Sequence, residues 1–239
     1  MKKYILLLCL ILNVILNVKA QSADTLIHNT EYANAVFWTR NSGEFRALNF
    51  QAYNYAKISL DNALKASKSS KPKCVIVDID ETVLDNSAYY EYMLKEKKAL
   101  TWDNWKHWLL TQSADTIPGA VNFLRYAASK NVEVFYVTNR EEIFNEVTLK
   151  NLQKFNFPNA DAAHYFPMVT THYKTPRRDA IAKTHEILLL AGDNLSDFNE
   201  IFYKRKGDVK KQVNSEQDLF GKKFIVLPNT IYGNWKRKQ

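Results

Sequence analysis

The sequence predicts an α/β protein, a mainly parallel sheet flanked by helices. Three observations carry this. Four short continuous apolar runs, Cys74–Val77, Val132–Val137, Ile187–Ala191 and Phe224–Leu227, read as strands buried on both faces. Helical stretches separate them: Pro118 to Ser129, Glu142 to Phe155, and about Pro176 to His185. The composition is globular: 239 residues, 46% hydrophobic and 24% charged, with six Gly and six Pro, which excludes disorder, collagen-like repeats and a polytopic membrane protein. Strand and helix in alternation place the strands parallel, with the crossover helices on the faces.

Taken in chain order, residues 1–20 have the layout of a secretory signal peptide. Lys2 and Lys3 open it, Tyr4 to Val18 is an apolar run, and Val18-Lys19-Ala20 offers a small-residue cleavage site before Gln21. The run is short of the roughly 20 residues a spanning helix needs, so export is expected without a retained membrane anchor. An uncleaved anchor is the alternative. Cys9 is no lipoprotein site, since Leu8 precedes it and apolar residues follow. Without residues 1–20 the chain holds 30 basic against 25 acidic residues, a net charge of +5. A modest positive excess suits an anionic small molecule. The basic clusters are scattered and lack interleaved aromatics, so no nucleic-acid polymer is expected as partner.

Residues 21–70 read as N-terminal helices: one around Thr30 to Arg40, and a long one over 43–66. The long helix repeats Phe45, Leu48, Ala52, Ala56, Ser59 and Ala63 on one face. Ser67 to Lys73 is a polar linker. Residues 71–239 form the α/β unit. Cys74, the single cysteine beyond residue 20, reads as a small buried hydrophobe. His28, His107, His164, His172 and His185 show no metal-ligand spacing.

In parallel sheets ligands bind beyond the carboxyl ends of the strands. Asp78-Ile79-Asp80-Glu81-Thr82, Thr138-Asn139-Arg140 and Gly192-Asp193-Asn194-Leu195-Ser196-Asp197 lie there. Carboxylates this close repel, and a shared proton or a bound cation relieves them. With oxygen donors and no Cys or His, the expected cation is Mg²⁺, held among Asp78, Asp80, Asp193 and Asp197. As helix caps or turn residues these acids would have no chemistry, but four of them beyond apolar strands point to a site.

These segments resemble four motifs of the haloacid dehalogenase superfamily, in its four-aspartate branch. Val77-Asp78-Ile79-Asp80-Glu81-Thr82-Val83-Leu84-Asp85-Asn86-Ser87 is similar to the first, Val137-Thr138-Asn139-Arg140 to the second, Lys174-Thr175-Pro176-Arg177 to the third and Gly192-Asp193-Asn194-Leu195-Ser196-Asp197-Phe198 to the fourth. More narrowly the chain resembles bacterial class C acid phosphatases, the outer-membrane lipoprotein e family. Trp38 to Lys57 and Leu227 to Trp235 also match. The departure is at the start, where that family's lipobox cysteine is missing.

The resemblance implies a phosphomonoesterase. Asp78 would be the nucleophile that forms an aspartyl-phosphate, and Asp80 would act as acid and then base, with its backbone carbonyl on the metal. Thr138 and Lys174 would hold the transferred phosphoryl group, and Asp197 would bind a metal water or orient Lys174. Asn139 would contact substrate, and Trp105 and Tyr232 would sandwich a ring in the leaving group. That implies nucleoside monophosphates, nicotinamide mononucleotide or aryl phosphates. Trp102 and Trp108 read as packing, Asp85 as a structural hydrogen-bonding group, and Glu81 as solvent-facing. Residues 87–116 would join the N-terminal helices as a small helical cap that excludes water. The same helices could build a homodimer interface, and the sequence does not choose. Two further readings stay open: a phosphotransferase sharing every one of these residues, and a surface nucleotide-binding protein on the same fold.

Overall fold

The computed structural model describes residues 30–203 and 208–236. The expected signal peptide, residues 1–20, lies outside them. In chain order come α1 (residues 30–41), α2 (Gly43–Ala66), β1 (Lys73–Val77), β2 (Leu84–Asp85), α3 (Ser87–Lys95), α4 (Trp102–Thr111) and β3 (Asp115–Thr116). Then follow α5 (Ala120–Ser129), β4 (Val132–Glu141), α6 (Asn145–Lys154), β5 (Tyr165–Met168), α7 (Thr175–Thr184), β6 (Glu186–Gly192), α8 (Val209–Ser215) and β7 (Phe224–Val226).

Five strands form one parallel sheet in the order β5-β4-β1-β6-β7, while β2 and β3 pair separately as a short antiparallel ribbon. The central strand, β1, is covered on both faces, which explains its unbroken apolar run. Alternation along it divides the core. Val75 and Val77 face α2 and α5, together with Phe45, Ala56, Leu60, Phe123 and Leu124. Cys74 and Ile76 face Ile181 of α7, Phe198, Phe202 and Phe224. Cys74 is fully buried, as expected, and burial pushes its thiol up to about 12. Burying each large apolar side chain in these layers contributes about 1.5–3 kcal/mol.

The two N-terminal helices separate. α1 joins a third cluster, in which Val36 packs with Tyr89, Tyr90 and Met93 of α3 and with Ile231. That cluster is the cap over residues 87–116. α2, read from sequence as part of the cap, lies on the sheet instead. Its buried stripe also differs, comprising Phe45, Asn49, Tyr53, Ala56, Ser59 and Leu60, while Leu48 is exposed. The physical reason is polar satisfaction: the Tyr53 hydroxyl donates to the Thr82 carbonyl at 2.6 Å, and Asn49 Nδ2 donates to the Phe45 carbonyl at 2.8 Å. Ser42 caps the helix by accepting from the Phe45 amide at 3.1 Å.

At the end of the sheet away from the aspartates, His164 bonds Glu133 Oε2 at 2.9 Å and Asp161 Oδ1 at 2.8 Å, and His185 lies 3.4 Å from Glu133 Oε1. Burial lowers the His164 pKa, but the two carboxylates outweigh it and raise it above 6.5. The hydrogen bond from His164 lowers Glu133 below 4.5. The histidine's contribution is therefore complete below pH 6.5 and lost as pH rises through its raised pKa, whereas Glu133 contributes above pH 4.5. His164→Gln should therefore lower Tm most between about pH 4.5 and 6.5, with the two Tm–pH curves converging toward pH 9. A constant gap from pH 5 to pH 9 would contradict this.

Candidate active site

The strands deliver their carboxylates to one end of the sheet. β1 stops at Val77, and the Asp78 amide donates to the Ala191 carbonyl of β6 at 3.0 Å, so the two strand ends turn outward together. β6 ends at Gly192, directly before Asp193. Here glycine is required by space: a Cβ would stand 2.4 Å from Asp197 Oδ2. That oxygen accepts from the Asn194 amide at 3.0 Å, folding Asp197 back toward Asp193. Oxygens of Asp78, Asp193 and Asp197 lie within 4.8 Å of one another.

Lys174, at the N-terminal cap position of α7, is 95% buried at its side chain. It donates to Asp78 Oδ1, and to Asp197 Oδ1 at 2.7 Å. Burial disfavours its charge, but the two carboxylates outweigh that and raise its pKa. Asp78 is pushed up to about 7, first by burial, with Lys174 opposing and Asp197 and Asp80 adding repulsion. Asp193 is also raised well above the usual carboxylate range, by burial and then by Asp197 and Asp78. One lysine thus faces three carboxylates, a donor set of hard oxygens short of positive charge, which fits a divalent cation.

Asp80 points elsewhere. Arg140, 3% exposed, donates from Nη2 to Asp80 Oδ1 at 2.7 Å and from Nε at 3.1 Å. Asn86 Nδ2 donates to the same oxygen at 2.8 Å, and its own Oδ1 accepts from Trp108 Nε1 of α4 at 2.8 Å. The Asp80 side chain therefore stands outside the three-carboxylate cluster, contrary to its inclusion among the metal-binding carboxylates. Trp108, read as packing, also ties the cap to Asp80. The pocket enclosed by these groups has a volume of about 290 Å³.

The family described as HAD superfamily, subfamily IIIB (Acid phosphatase) matches residues 7–235. The chain belongs to this family. It is similar to the class C acid phosphatase from Bacillus anthracis, with 35% identity, 87% of each chain covered and a TM-score of 0.82. The same Bacillus anthracis protein solved with tungstate bound aligns at 34% identity over 87% of each chain, with a TM-score of 0.80. The activity is that of an acid phosphatase, a phosphomonoesterase.

The phosphatase pocket is lined by Asp78, Asp80, Trp105, Asn139, Lys174, Asp193, Asp197 and Tyr232. Thr138 is the exception among the residues expected from sequence. It is fully buried beneath Asn139, and its hydroxyl accepts from the Arg140 amide at 3.1 Å. β4 also continues through Thr138 to Glu141 instead of ending at Val137. Arg177 secures this segment, donating to the Thr138 carbonyl, and to Asn139 Oδ1 at 2.8 Å.

Sequence reasoning missed three site residues of the phosphatase. Arg140 was visible as a charged residue at a strand end, but Asp80 lies 60 positions away. Tyr90 lines the pocket and touches both expected aromatics, with ring centroids 6.4 Å from Trp105 and 5.6 Å from Tyr232. Trp105 and Tyr232 thus belong to a three-ring wall. Glu81, read as solvent-facing, is 2% exposed. Its φ of +54° is uncommon for a non-glycine residue. It accepts from the Asn86 amide at 3.0 Å and from the Tyr232 hydroxyl. Asp85 accepts from the Ser87 amide at 2.8 Å, a structural role as expected. A larger groove of about 370 Å³ between α2 and β7 carries no charged side chain and offers no chemistry.

Proposed function

We propose that this phosphatase is an exported, Mg²⁺-dependent enzyme that hydrolyses nucleoside monophosphates through an aspartyl-phosphate. The observation that carries the reading is one pocket holding Asp78, Lys174 and Asp80 beside the rings of Trp105, Tyr90 and Tyr232. An Asp78 oxygen attacks phosphorus, and the bond from phosphorus to the leaving alcohol breaks while Asp80 gives that alkoxide a proton. Water then attacks the same phosphorus. Asp80 takes its proton, the bond to Asp78 breaks, and phosphate leaves. Arg140 and Asn86 hold the Asp80 carboxylate in place for both proton transfers. Lys174 neutralises the phosphoryl oxygens, and Asn139 contacts them at the pocket wall.

Mg²⁺ held by Asp78, Asp193 and Asp197 would keep these carboxylates ionised and offset the repulsion between Asp78 and an incoming phosphate. The relative solved with tungstate, a tetrahedral oxyanion, supports a phosphate-sized subsite at this position. Flat aromatic rings accept any base, at about 1–3 kcal/mol per stacked ring, which supports a nucleoside over a small alcohol as leaving group. Export rests on the composition of residues 1–20. A lone phosphate ester fits a pocket of this size better than a polymer does.

The test is phosphate release from 5′-AMP and p-nitrophenyl phosphate by the protein beginning at Gln21. It is run at pH 5.5 with Mg²⁺, after EDTA, and with an acceptor alcohol added. EDTA should abolish turnover of both substrates and Mg²⁺ should restore it, with free phosphate as product even when acceptor is present. EDTA-resistant turnover would remove the metal from the reading. Phosphate passing mainly to the acceptor would make the protein a phosphotransferase.

A further inference from the structure

Glu81 follows the two catalytic aspartates but takes no part in the chemistry assigned to them. Its carboxylate is divided between two tasks. One oxygen, Oε1, accepts from the Asn86 amide at 3.0 Å, where the chain enters α3. The other, Oε2, accepts from the phenol of Tyr232. The Glu81 amide donates to the Leu84 carbonyl at 2.8 Å, which fixes the turn in its left-handed conformation. Tyr232 in turn lies against Tyr90, and Tyr90 lies against Trp105. A single buried carboxylate therefore joins the loop bearing the nucleophile to the aromatic wall of the pocket.

We propose that Glu81 is a positioning residue that sets affinity for ring-bearing leaving groups by anchoring the Tyr232 phenol. The inference rests on the reading of the aromatic wall as the leaving-group subsite. The Tyr232 backbone is already placed, because its amide and that of Ile231 donate to Asn229 Oδ1 at 3.3 and 2.9 Å, while Asn229 Nδ2 reaches Asp193 Oδ2 at 2.7 Å. What remains free is rotation of the ring about its side-chain bonds. The hydrogen bond to Glu81 removes that freedom, so a stacked ring finds its partner already oriented. A phosphomonoester without a ring makes no use of this.

The experiment compares kcat and KM for 5′-AMP and for glycerol 2-phosphate at saturating Mg²⁺. The variants are Tyr232→Phe, Glu81→Ala, Glu81→Gln, the double Glu81→Ala/Tyr232→Phe, and Tyr232→Ala. Tyr232→Phe keeps the ring and removes only the anchoring bond, so its result does not depend on how well the Glu81 variants fold. Tyr232→Phe and Glu81→Ala should each lower the ratio of kcat/KM for 5′-AMP to that for glycerol 2-phosphate about five- to tenfold, through KM. The double variant should match either single one, because both remove the same bond. Glu81→Gln should recover most of the ratio, since its amide still bonds the phenol. An unchanged ratio in Tyr232→Phe would overturn the inference, as would single effects that multiply in the double variant. If Tyr232→Ala also left the ratio unchanged, the aromatic subsite itself would fall. If Tyr232→Ala lowered the ratio and Tyr232→Phe did not, the subsite would stand without its anchor.

Discussion

Asp78→Asn is expected to lower kcat by at least about 10⁴-fold while the protein stays folded. The amide is nearly isosteric with the carboxylate but cannot attack phosphorus. The backbone hydrogen bond from Asp78 to Ala191 does not depend on the side chain, so the strand end keeps its place. The stability effect has a defined sign. The native state holds the Asp78 proton up to about pH 7, against 3.8 for an ordinary aspartate, so between those values the folded metal-free protein binds more protons than the unfolded chain. Its stability from this group therefore falls as pH rises through that window. Asn carries no such penalty, while Lys174 keeps Asp197 as its partner. The EDTA-treated variant should accordingly melt no lower than the wild type at pH 7.5, and should lose its advantage near pH 4. Single-turnover kinetics and thermal melts check the two halves separately. Residual turnover within 100-fold of wild type in a folded protein would place the nucleophile elsewhere.

Lys174→Met carries the second largest effect, and here stability and activity fall together. The ammonium is shared between Asp78 and Asp197, and its removal leaves buried carboxylates facing each other without compensation. Breaking a buried ion pair from one side costs about 3–5 kcal/mol. The carboxylates then relieve their repulsion by retaining a proton, so the folded state binds more protons and the deficit grows with pH. The Tm deficit in EDTA should be larger at pH 8 than at pH 5. Losing a charge aimed at the phosphoryl oxygens should lower kcat by about 10²–10³-fold at saturating Mg²⁺. A variant that melts like the wild type at both pH values would show that Lys174 does not hold the cluster together.

Much of this arrangement was legible from local sequence. A strand buried on both faces must be apolar throughout, so β1 and β6 announced themselves, and the acids just beyond them marked the site end of the sheet. The features that escaped share a cause. Arg140 is charged and buried, which is tolerable only because Asp80 meets it, and that partner lies 60 residues away. Glu81 beside two aspartates looks like one more solvated acid until Tyr232 is brought to it. The buried stripe of α2 includes Asn49 and Tyr53, whose polar tips find backbone carbonyls that no helical periodicity reveals. His164, His185 and Glu133 show no motif spacing, because the sheet and not the chain makes them neighbours.

The bond between Tyr232 and Glu81 spans 151 residues, and this sets a clock on biosynthesis. At ordinary translation speeds of about 5–20 residues per second, a ribosome needs roughly 8–30 s to travel from one to the other. Throughout that interval the nascent chain carries its nucleophile but neither the third aromatic ring nor the Asn229 amide that reaches Asp193. A half-made chain is therefore a harmless one inside the cell that makes it, because the wall that captures substrate is among the last parts to emerge.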